Sequence, residues 1–287
     1  MYSEFYSNGN IPLCRETLEC YDLTYSDNMR RAEGLQKRAT AISNYDTKHV
    51  QSLFSDQESA ILFNKIIGKY KKADLDFSDI QCMDAQYFNT LFANDMRHDE
   101  VYVDAGVFDG RTIIDFIMFT KGTYKNIYAI EGDIVSHLKY SRRFMDFPNL
   151  IWTQCALSNS NGEADFVISS HGLASGLMAR GRALSSTAYN SKFQTTKVQT
   201  IKLDTYLQEP PTFIKMDIEG AEQAAIAGAE RTIKKYKPKL AISVYHEPDD
   251  LVKIPLMLNE MVPEYNLYLR HHSSTHYETV LYAKASR

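Results

Sequence analysis

Apolar residues follow two different rhythms along the chain, and the change falls near residue 98. Before it they recur at helical spacing. Ser55 and Glu58 lie three apart, as in a capping box, ahead of the apolar positions of the stretch 61–70. This pattern predicts a helix over about 56–71. A second helix is predicted over about 27–42, whereas residues 1–25 carry no clear pattern and are expected to form an arm packed on the body or on a partner.

After residue 98, short continuous apolar runs alternate with amphipathic stretches. The runs predict strands at 101–104, 127–130, 150–152, 213–216 and 240–244, then a terminal hairpin of 267–269 and 279–282. Helices are predicted over 112–119, 133–144 and 221–236. Continuous apolar strands separated by helices are typical of a parallel sheet covered on both faces. The sequence therefore predicts an α/β domain over 98–287 with a helical N-terminal extension over 1–97.

Polar side chains stand where the predicted strands end. Asp104, Glu131, Asp217 and His246 lie at or just after strand ends, and the histidine-rich loop 271–276 joins that edge if the strand before it is parallel. Ligands of such sheets bind beyond the carboxyl ends of the strands. These residues are therefore candidates for one site.

A glycine-containing turn follows the first strand. Gly106 allows a tight turn and Gly110 opens the next helix ahead of Thr112. A dinucleotide fingerprint would need glycine where Phe108 stands, and the bulky ring would keep a pyrophosphate away. The turn thus argues against a nicotinamide-dependent oxidoreductase, although a purely structural turn remains an alternative. The candidates for cofactor contacts in this part of the chain are Asp104, Gly106, Phe108, Gly110 and Thr112.

An acid at the end of the second strand narrows the ligand class. Glu131 follows Gly106 by twenty-five residues, and a carboxylate there can accept hydrogen bonds from both ribose hydroxyls. Together they predict an adenosine ligand without a diphosphate, which S-adenosylmethionine fits. Gly132 beside this acid, and Cys155 and Ala156 after the third strand, are further candidates for cofactor contacts.

The fourth and fifth strand ends carry the candidate catalytic residues. Asp217 ends the fourth strand and is also a candidate for cofactor contact. Glu219 and Glu222 follow closely, where the dipole of the next helix also favours acids. His246 follows the fifth strand and suits a general base, although a solvated loop histidine is the alternative. A divalent ion held by Asp217, Glu219 and His246 is a second, less favoured interpretation.

Composition excludes several classes of protein. The 287 residues carry a net charge of −4, which argues against non-specific nucleic-acid binding. No apolar run approaches the ~20 residues of a membrane span, and the first residues do not resemble a secretory signal. The four cysteines form no C-x-x-C pair, so reduced thiols, no zinc site and a cytoplasmic location are predicted.

These stretches together resemble the FkbM family of S-adenosylmethionine-dependent methyltransferases over about residues 98–285. The most specific string is Ile214-Lys-Met-Asp-Ile-Glu-Gly-Ala-Glu222, and Asp104-Ala-Gly-Val-Phe-Asp-Gly110 and Ala129-Ile-Glu-Gly132 also match. Two departures occur: Val107-Phe108 stands where many relatives have Ala-Asn, and Gly132 where many have proline.

The resemblance implies a Rossmann-like, seven-stranded, mostly parallel methyltransferase sheet whose last strand is antiparallel. It also implies O-methylation of a hydroxyl on a sugar, nucleotide-sugar, glycan or natural product. Asp104 and Gly106 would hold the methionine end of the cofactor and Glu131 its ribose. His246 would be the base, with Asp217 and Glu219 orienting the acceptor.

A second functional hypothesis is a catalytically weak S-adenosylmethionine-binding module in a glycan-assembly complex. In either hypothesis, residues 1–97 are available for docking or for homo-oligomer formation. The Ser-, Gly- and Ala-rich segment 171–197 is expected to be a lid over the site or an ordinary surface loop.

Overall fold

The helical N-terminal part is present and begins earlier than expected. The computed structural model describes residues 15–168, 175–177 and 194–286, with side chains from residue 27 onward. Three helices precede the sheet: α1 (Arg15–Ile42), α2 (Thr47–Ser52) and α3 (Gln57–Lys72). The helices predicted over 27–42 and 56–71 are confirmed. Residues 1–14 of the predicted arm and most of the segment 171–197 lie outside the described residues.

The start of α3 differs from the predicted capping box by one residue. Asp56, not Ser55, caps the helix by accepting the backbone N–H of Ser59 at 2.7 Å. The hydroxyl of Ser55 instead accepts the backbone N–H of Leu267 at 3.0 Å. This serine therefore ties the extension to a strand near the C-terminus of the chain.

The main domain alternates strands and helices, as predicted. The first half contains β1 (Val101–Ala105), α4 (Arg111–Phe119), β2 (Asn126–Glu131), α5 (Ile134–Tyr140), β3 (Leu150–Gln154), β4 (Ala156–Leu157), β5 (Gly162–Ile168), β6 (Gly176–Leu177) and β7 (Gln194–Ile201). The second half contains α6 (Leu203–Tyr206), β8 (Phe213–Met216), α7 (Glu222–Gly228), α8 (Glu230–Tyr236), β9 (Lys239–Ser243), α9 (Asp250–Met261), β10 (Tyr265–His271) and β11 (Thr279–Ala285). The helix predicted over 221–236 is divided at Ala229 into α7 and α8.

Seven of these strands form the main sheet in the order β3-β2-β1-β8-β9-β11-β10. All neighbours are parallel except β11, which is antiparallel to both β9 and β10. The expected seven-stranded, mostly parallel sheet with an antiparallel last strand is thus confirmed. Since β11 opposes both neighbours, β10 runs in the direction of β9. The loop that follows β10 therefore reaches the carboxyl edge, as the sequence analysis required.

A second sheet, in the order β4-β7-β5-β6, was not predicted. Its longest strand, β7, carries only two apolar residues, Val198 and Ile201, among polar ones. Such a strand gives no continuous apolar run, and its alternation is too weak to be recognised.

The extension shares a core with the sheet. Phe63 and Ile66 of α3 lie in one buried cluster with Val103, Ile214 and Ile242 of the central strands. A second cluster fills the opposite face of the sheet and includes residues upstream of β1. Among the described residues, no helix combines the length and apolar character needed to cross a bilayer.

Candidate active site

The turn after β1 is shaped by its first glycine. Gly106 has a φ of +81°, and a Cβ added there would lie 1.8 Å from the backbone carbonyl oxygen of Asp217. Glycine is therefore needed for the tight turn and for its close approach to the end of β8. Gly110, with a φ of +85°, caps α4, and a Cβ there would meet the ring of Phe144 at 2.2 Å.

A buried ion pair supports this turn from below. Asp104 is 0% exposed, and its Oδ1 lies 3.2 Å from the ammonium of Lys215. Its Oδ2 accepts a hydrogen bond from the hydroxyl of Thr112, and Lys215 donates to the carbonyl oxygen of Gly106 at 2.7 Å. Asp104, Gly110 and Thr112 do not line the pocket above them. Their contacts fix the backbone that a ligand would touch.

Glu131 lines the pocket at the end of β2. Its Oε2 accepts the backbone N–H of Phe108 at 2.7 Å, and its Oε1 accepts that of Asp133 at 2.7 Å. Burial raises the pKa of this carboxyl. Each carboxylate oxygen can accept more than one hydrogen bond, so this geometry leaves Glu131 able to accept from a ligand diol as well.

The pocket lies over the carboxyl edge of the main sheet, and its lining has two parts. The apolar half includes Gly106, Phe108, Ile130, Gly132, Cys155, Ala156, Leu157, Phe166 and Leu177, together with one carboxyl, that of Glu131. The acidic half comprises Asp217, Glu219, Tyr245 and Glu278. Flat apolar walls on one side and carboxylates on the other suit a ligand with an aromatic base and a positively charged end.

The unusual glycine after Glu131 has a packing reason. A Cβ at Gly132 would lie 2.6 Å from the ring of Phe166. The absence of a side chain therefore lets Phe166 form part of the apolar half. Burial raises the pKa of Cys155, in the same half, to about 12, so that its thiol stays protonated.

Asp217 is held by two phenols in the acidic half. The hydroxyl of Tyr87 donates to its Oδ2 at 2.8 Å, and that of Tyr245 lies 3.2 Å from its Oδ1. Burial alone would raise the pKa of Asp217, but the charges of Lys215 and His246 outweigh burial and lower it. Asp217 is therefore a carboxylate at neutral pH.

His246 lies among three carboxylates, so the structure brings the predicted catalytic residues together. Its Nδ1 lies 2.9 Å from Glu222, and its Nε2 lies 3.5 Å from Asp217 and 3.7 Å from Glu219. Burial alone would lower the pKa of His246, but the carboxylates, Glu222 foremost, raise it to about 10. The ring is therefore an imidazolium at neutral pH, and it must lose that proton before it can act as a base.

The carboxylate of Glu222 has a structural role beside this histidine. It is fully buried, and its oxygens accept the backbone N–H groups of Ile218 and Gly220 at 2.8 and 2.9 Å. Among the described residues, the possible metal ligands that lie within 4.8 Å of one another are Asp217, Glu222 and His246, with Glu222 in place of the expected Glu219. His246 is protonated at neutral pH and would have to lose that proton before its nitrogen could bind a cation, so this donor set fits a metal ion poorly.

Sequence analysis gave no role to four residues of the site: Gln86, Tyr87, Tyr245 and Glu278. Tyr245 adjoins His246, and Glu278 directly precedes the strand predicted over 279–282. Tyr87 and Gln86 reach the site only through contacts with Asp217 and Glu278, distant in the chain. No local pattern reports such long-range pairing.

Three residues of the pocket hold a left-handed backbone conformation that side chains disfavour. Phe108, Glu219 and Glu278 have φ values of +51°, +55° and +66°. Non-glycine residues in this region are uncommon and cluster at functional sites. Three of the seven non-glycine residues with a positive φ in the described part of the chain thus line this pocket.

Comparison with known proteins identifies a family. The model of the methyltransferase FkbM domain matches residues 102–274. A similar solved structure is the methyltransferase FkbM from Methylobacillus flagellatus KT, with 23% identity and a TM-score of 0.64 over 82% of this chain and 57% of that one. This chain thus spans just over half the length of that protein. A search of curated proteins finds no significant match.

Two other solved structures match less closely. An rRNA methylase from Streptococcus thermophilus is 14% identical, with a TM-score of 0.44 over 72% of this chain and 100% of that one. Aeropyrum pernix fibrillarin, solved with natively bound S-adenosyl-L-methionine, is 13% identical, with a TM-score of 0.36 over 66% of this chain and 68% of that one.

Proposed function

Since the chain belongs to the FkbM methyltransferase family, we propose that it is an S-adenosylmethionine-dependent O-methyltransferase acting on a hydroxyl of a sugar, nucleotide-sugar, glycan or natural product. The observation that carries this proposal is the division of one pocket into an apolar half with Glu131 and an acidic half with Asp217 and Glu219. Within the proposal the protein acts in the cytoplasm, which agrees with the free thiols of Cys82 and Cys155.

The apolar half holds the cofactor in this proposal. S-adenosylmethionine supplies a methyl group carried on a positively charged sulfur. Glu131 accepts hydrogen bonds from the ribose hydroxyls, while Gly106, Gly132 and the backbone of residues 155–156 offer bare surface to the rest of the nucleoside. The carboxylates of the acidic half balance the positive charge of the cofactor.

The acidic half receives the acceptor. Asp217 and Glu219 accept hydrogen bonds from acceptor hydroxyls and orient them, which supplies much of the rate in a displacement between pre-aligned groups. His246 was expected to be the base. Because its pKa of about 10 keeps it protonated, we assign it instead to holding these two carboxylates in position.

Ligand binding tests the proposal first. Thermal shift and calorimetry with S-adenosylmethionine, S-adenosylhomocysteine and NAD should show binding of the first two only. A ligand at 100 times its Kd stabilises the fold by ~2.7 kcal/mol. No shift with either sulfur compound would overturn the proposal.

Methyl transfer is the second test. Protein incubated with S-adenosylmethionine labelled in its methyl group should transfer label to at least one of a panel of methyl glycosides, nucleotide-sugars and polyhydroxylated natural products. Binding without transfer to any acceptor would favour the alternative of a catalytically weak binding module. Dialysis against EDTA should leave transfer unchanged, because His246, one of the three possible metal ligands, is protonated at neutral pH.

A further inference from the structure

Glu278 is a pocket residue to which the proposed function gives no role of its own beyond the shared negative charge of the acidic half. It lies in the loop between β10 and β11, immediately before β11, and its side chain lines the acidic half. Its backbone φ of +66° is unfavourable for a residue with a side chain. The fold therefore maintains a strained backbone that delivers this carboxylate to the pocket.

Both oxygens of this carboxylate are held by neighbours. The side-chain amide of Gln86 donates to Oε2, and the hydroxyl of Tyr245 lies 3.5 Å from Oε1. The same Tyr245 hydroxyl lies 3.2 Å from Asp217, which also accepts from Tyr87, and Gln86 donates to the Tyr87 hydroxyl at 3.1 Å. The five side chains thus form a closed ring of hydrogen bonds.

This ring has a place for one additional proton. Tyr245 has a single hydroxyl hydrogen but lies between two carboxylates, so it can satisfy only one of them fully. A proton added to Glu278 would let that residue donate to the Tyr245 oxygen while Tyr245 donates to Asp217. The added proton would therefore complete the hydrogen bonding between the three groups.

Two neighbours of Glu278, His246 and Asp217, are less suited to take a proton. His246 already holds one, and Lys215 and His246 keep Asp217 ionised. Glu278 faces Asp217, Tyr245, Tyr87, Lys215 and His246. Burial, followed by the charge of Asp217, raises its pKa, although Gln86, His246 and Lys215 act in the opposite direction. A base whose pKa is raised toward the working pH is the most effective.

We propose that Glu278 is the general base of the methyl transfer, with Tyr245 and Gln86 as its positioning residues; this assignment rests on the proposed function. The acceptor oxygen forms a bond to the methyl carbon as the carbon–sulfur bond of the sulfonium donor breaks, and that electron pair remains on sulfur, which becomes a neutral thioether. The hydroxyl proton passes to Oε1 or Oε2 of Glu278, giving a carboxylic acid that later returns the proton to water.

Infrared titration of the unliganded protein tests the base without any acceptor. The wild-type spectrum minus that of Glu278→Gln should contain one carboxyl band that titrates clearly above the ordinary glutamic acid value of about 4.3. Glu260→Gln, an exposed glutamate elsewhere, is the matched control. Titration of the Glu278 band at the ordinary value would overturn the assignment. If Glu278→Gln fails to fold, Gln86→Leu should move the same band to higher pH.

Kinetics separates this assignment from the proposed function. With the best acceptor of the labelled-methyl panel, Glu278→Gln should lower kcat by ~10²-fold or more, while KM and the Kd for S-adenosylhomocysteine stay within about twofold and Glu260→Gln behaves as wild type. Unchanged kcat in Glu278→Gln would refute the assignment of Glu278 as the general base and would leave the proposed function standing. If the wild type binds no S-adenosylhomocysteine, the proposed function fails, whereas the infrared titration still decides whether the pKa of Glu278 lies above the ordinary glutamic acid value.

Discussion

The Nδ1 atom of His246 lies 2.9 Å from Oε1 of Glu222, and both side chains are almost completely buried. The imidazole is therefore paired on the side away from the pocket, while its Nε2 faces Asp217 and Glu219. This arrangement makes His246 the positive centre around which the carboxylates of the site are arranged.

The charge of His246 should make stability depend on pH. Its pKa is raised from 6.5 to about 10 in the folded protein, so it contributes full stability below pH 6.5, less between pH 6.5 and 10, and none above pH 10. We expect calorimetric Tm values of wild type to include this decline and those of His246→Gln to lack it. His49→Gln, at an exposed histidine of α2, is the control and should retain the wild-type slope. An identical slope in His246→Gln would show that the imidazole is not charged.

The first glycine of the turn after β1 should not tolerate a side chain. Gly106→Ala places a Cβ against the Asp217 carbonyl oxygen, so the turn must shift. Both Tm and the affinity for S-adenosylhomocysteine should therefore fall. We expect the affinity to fall by at least ~10-fold, which corresponds to a loss of about 1.4 kcal/mol in binding free energy. Gly122→Ala is the matched control. Its φ is +74°, but nothing lies within 4 Å of the added atom. We expect it to cost about 1–2 kcal/mol of stability and to leave binding unchanged, as measured by calorimetry.

Loss of the Glu131 charge should weaken cofactor binding. A hydrogen bond to a charged group is worth about 1.5–3 kcal/mol, so Glu131→Gln should raise the Kd for S-adenosylhomocysteine roughly 10- to 100-fold in titration calorimetry. Glu163→Gln, on the exposed part of β5, is the comparison and should bind normally. Equal affinities for both variants would remove Glu131 from the cofactor site.

The N-terminal extension should influence catalysis through one arginine. Arg38 of α1 donates to the backbone carbonyl oxygens of His246 and Glu247 at 3.1 and 2.9 Å. Arg38→Ala should therefore lower Tm and slow methyl transfer, because the loop after β9 loses its support. Lys37→Ala, at an exposed position of the same helix, should change neither quantity. Normal transfer rates in Arg38→Ala would show that the loop keeps its position without α1.

Much of this architecture could be predicted because its determinants are local. Continuous apolar runs specify buried parallel strands, so Glu131, Asp217 and His246 could be placed at one edge before their distances were known. The second sheet could not, because its strands are short or half exposed. Asp104 is buried in contact with Lys215 and does not line the pocket. No sequence pattern predicts that Lys215 is fully buried, since lysine is ordinarily exposed.

The helical part and the sheet domain are less separable than the boundary predicted at residue 97 suggests. Phe63 of α3 shares its core with the central strands, and Tyr87 supports Asp217. The division of the chain into 1–97 and 98–287 stays a prediction, as does self-association through the first part.

The hydrogen bonds from Gln86 and Tyr87 to Glu278 and Asp217 have a practical consequence for cloning. The family match starts at residue 102, and an expression boundary chosen from that match would discard both donors. Such a truncated chain would keep the string 214–222 intact yet lack the supports of two carboxylates, so inactivity measured on it would not test the proposed function.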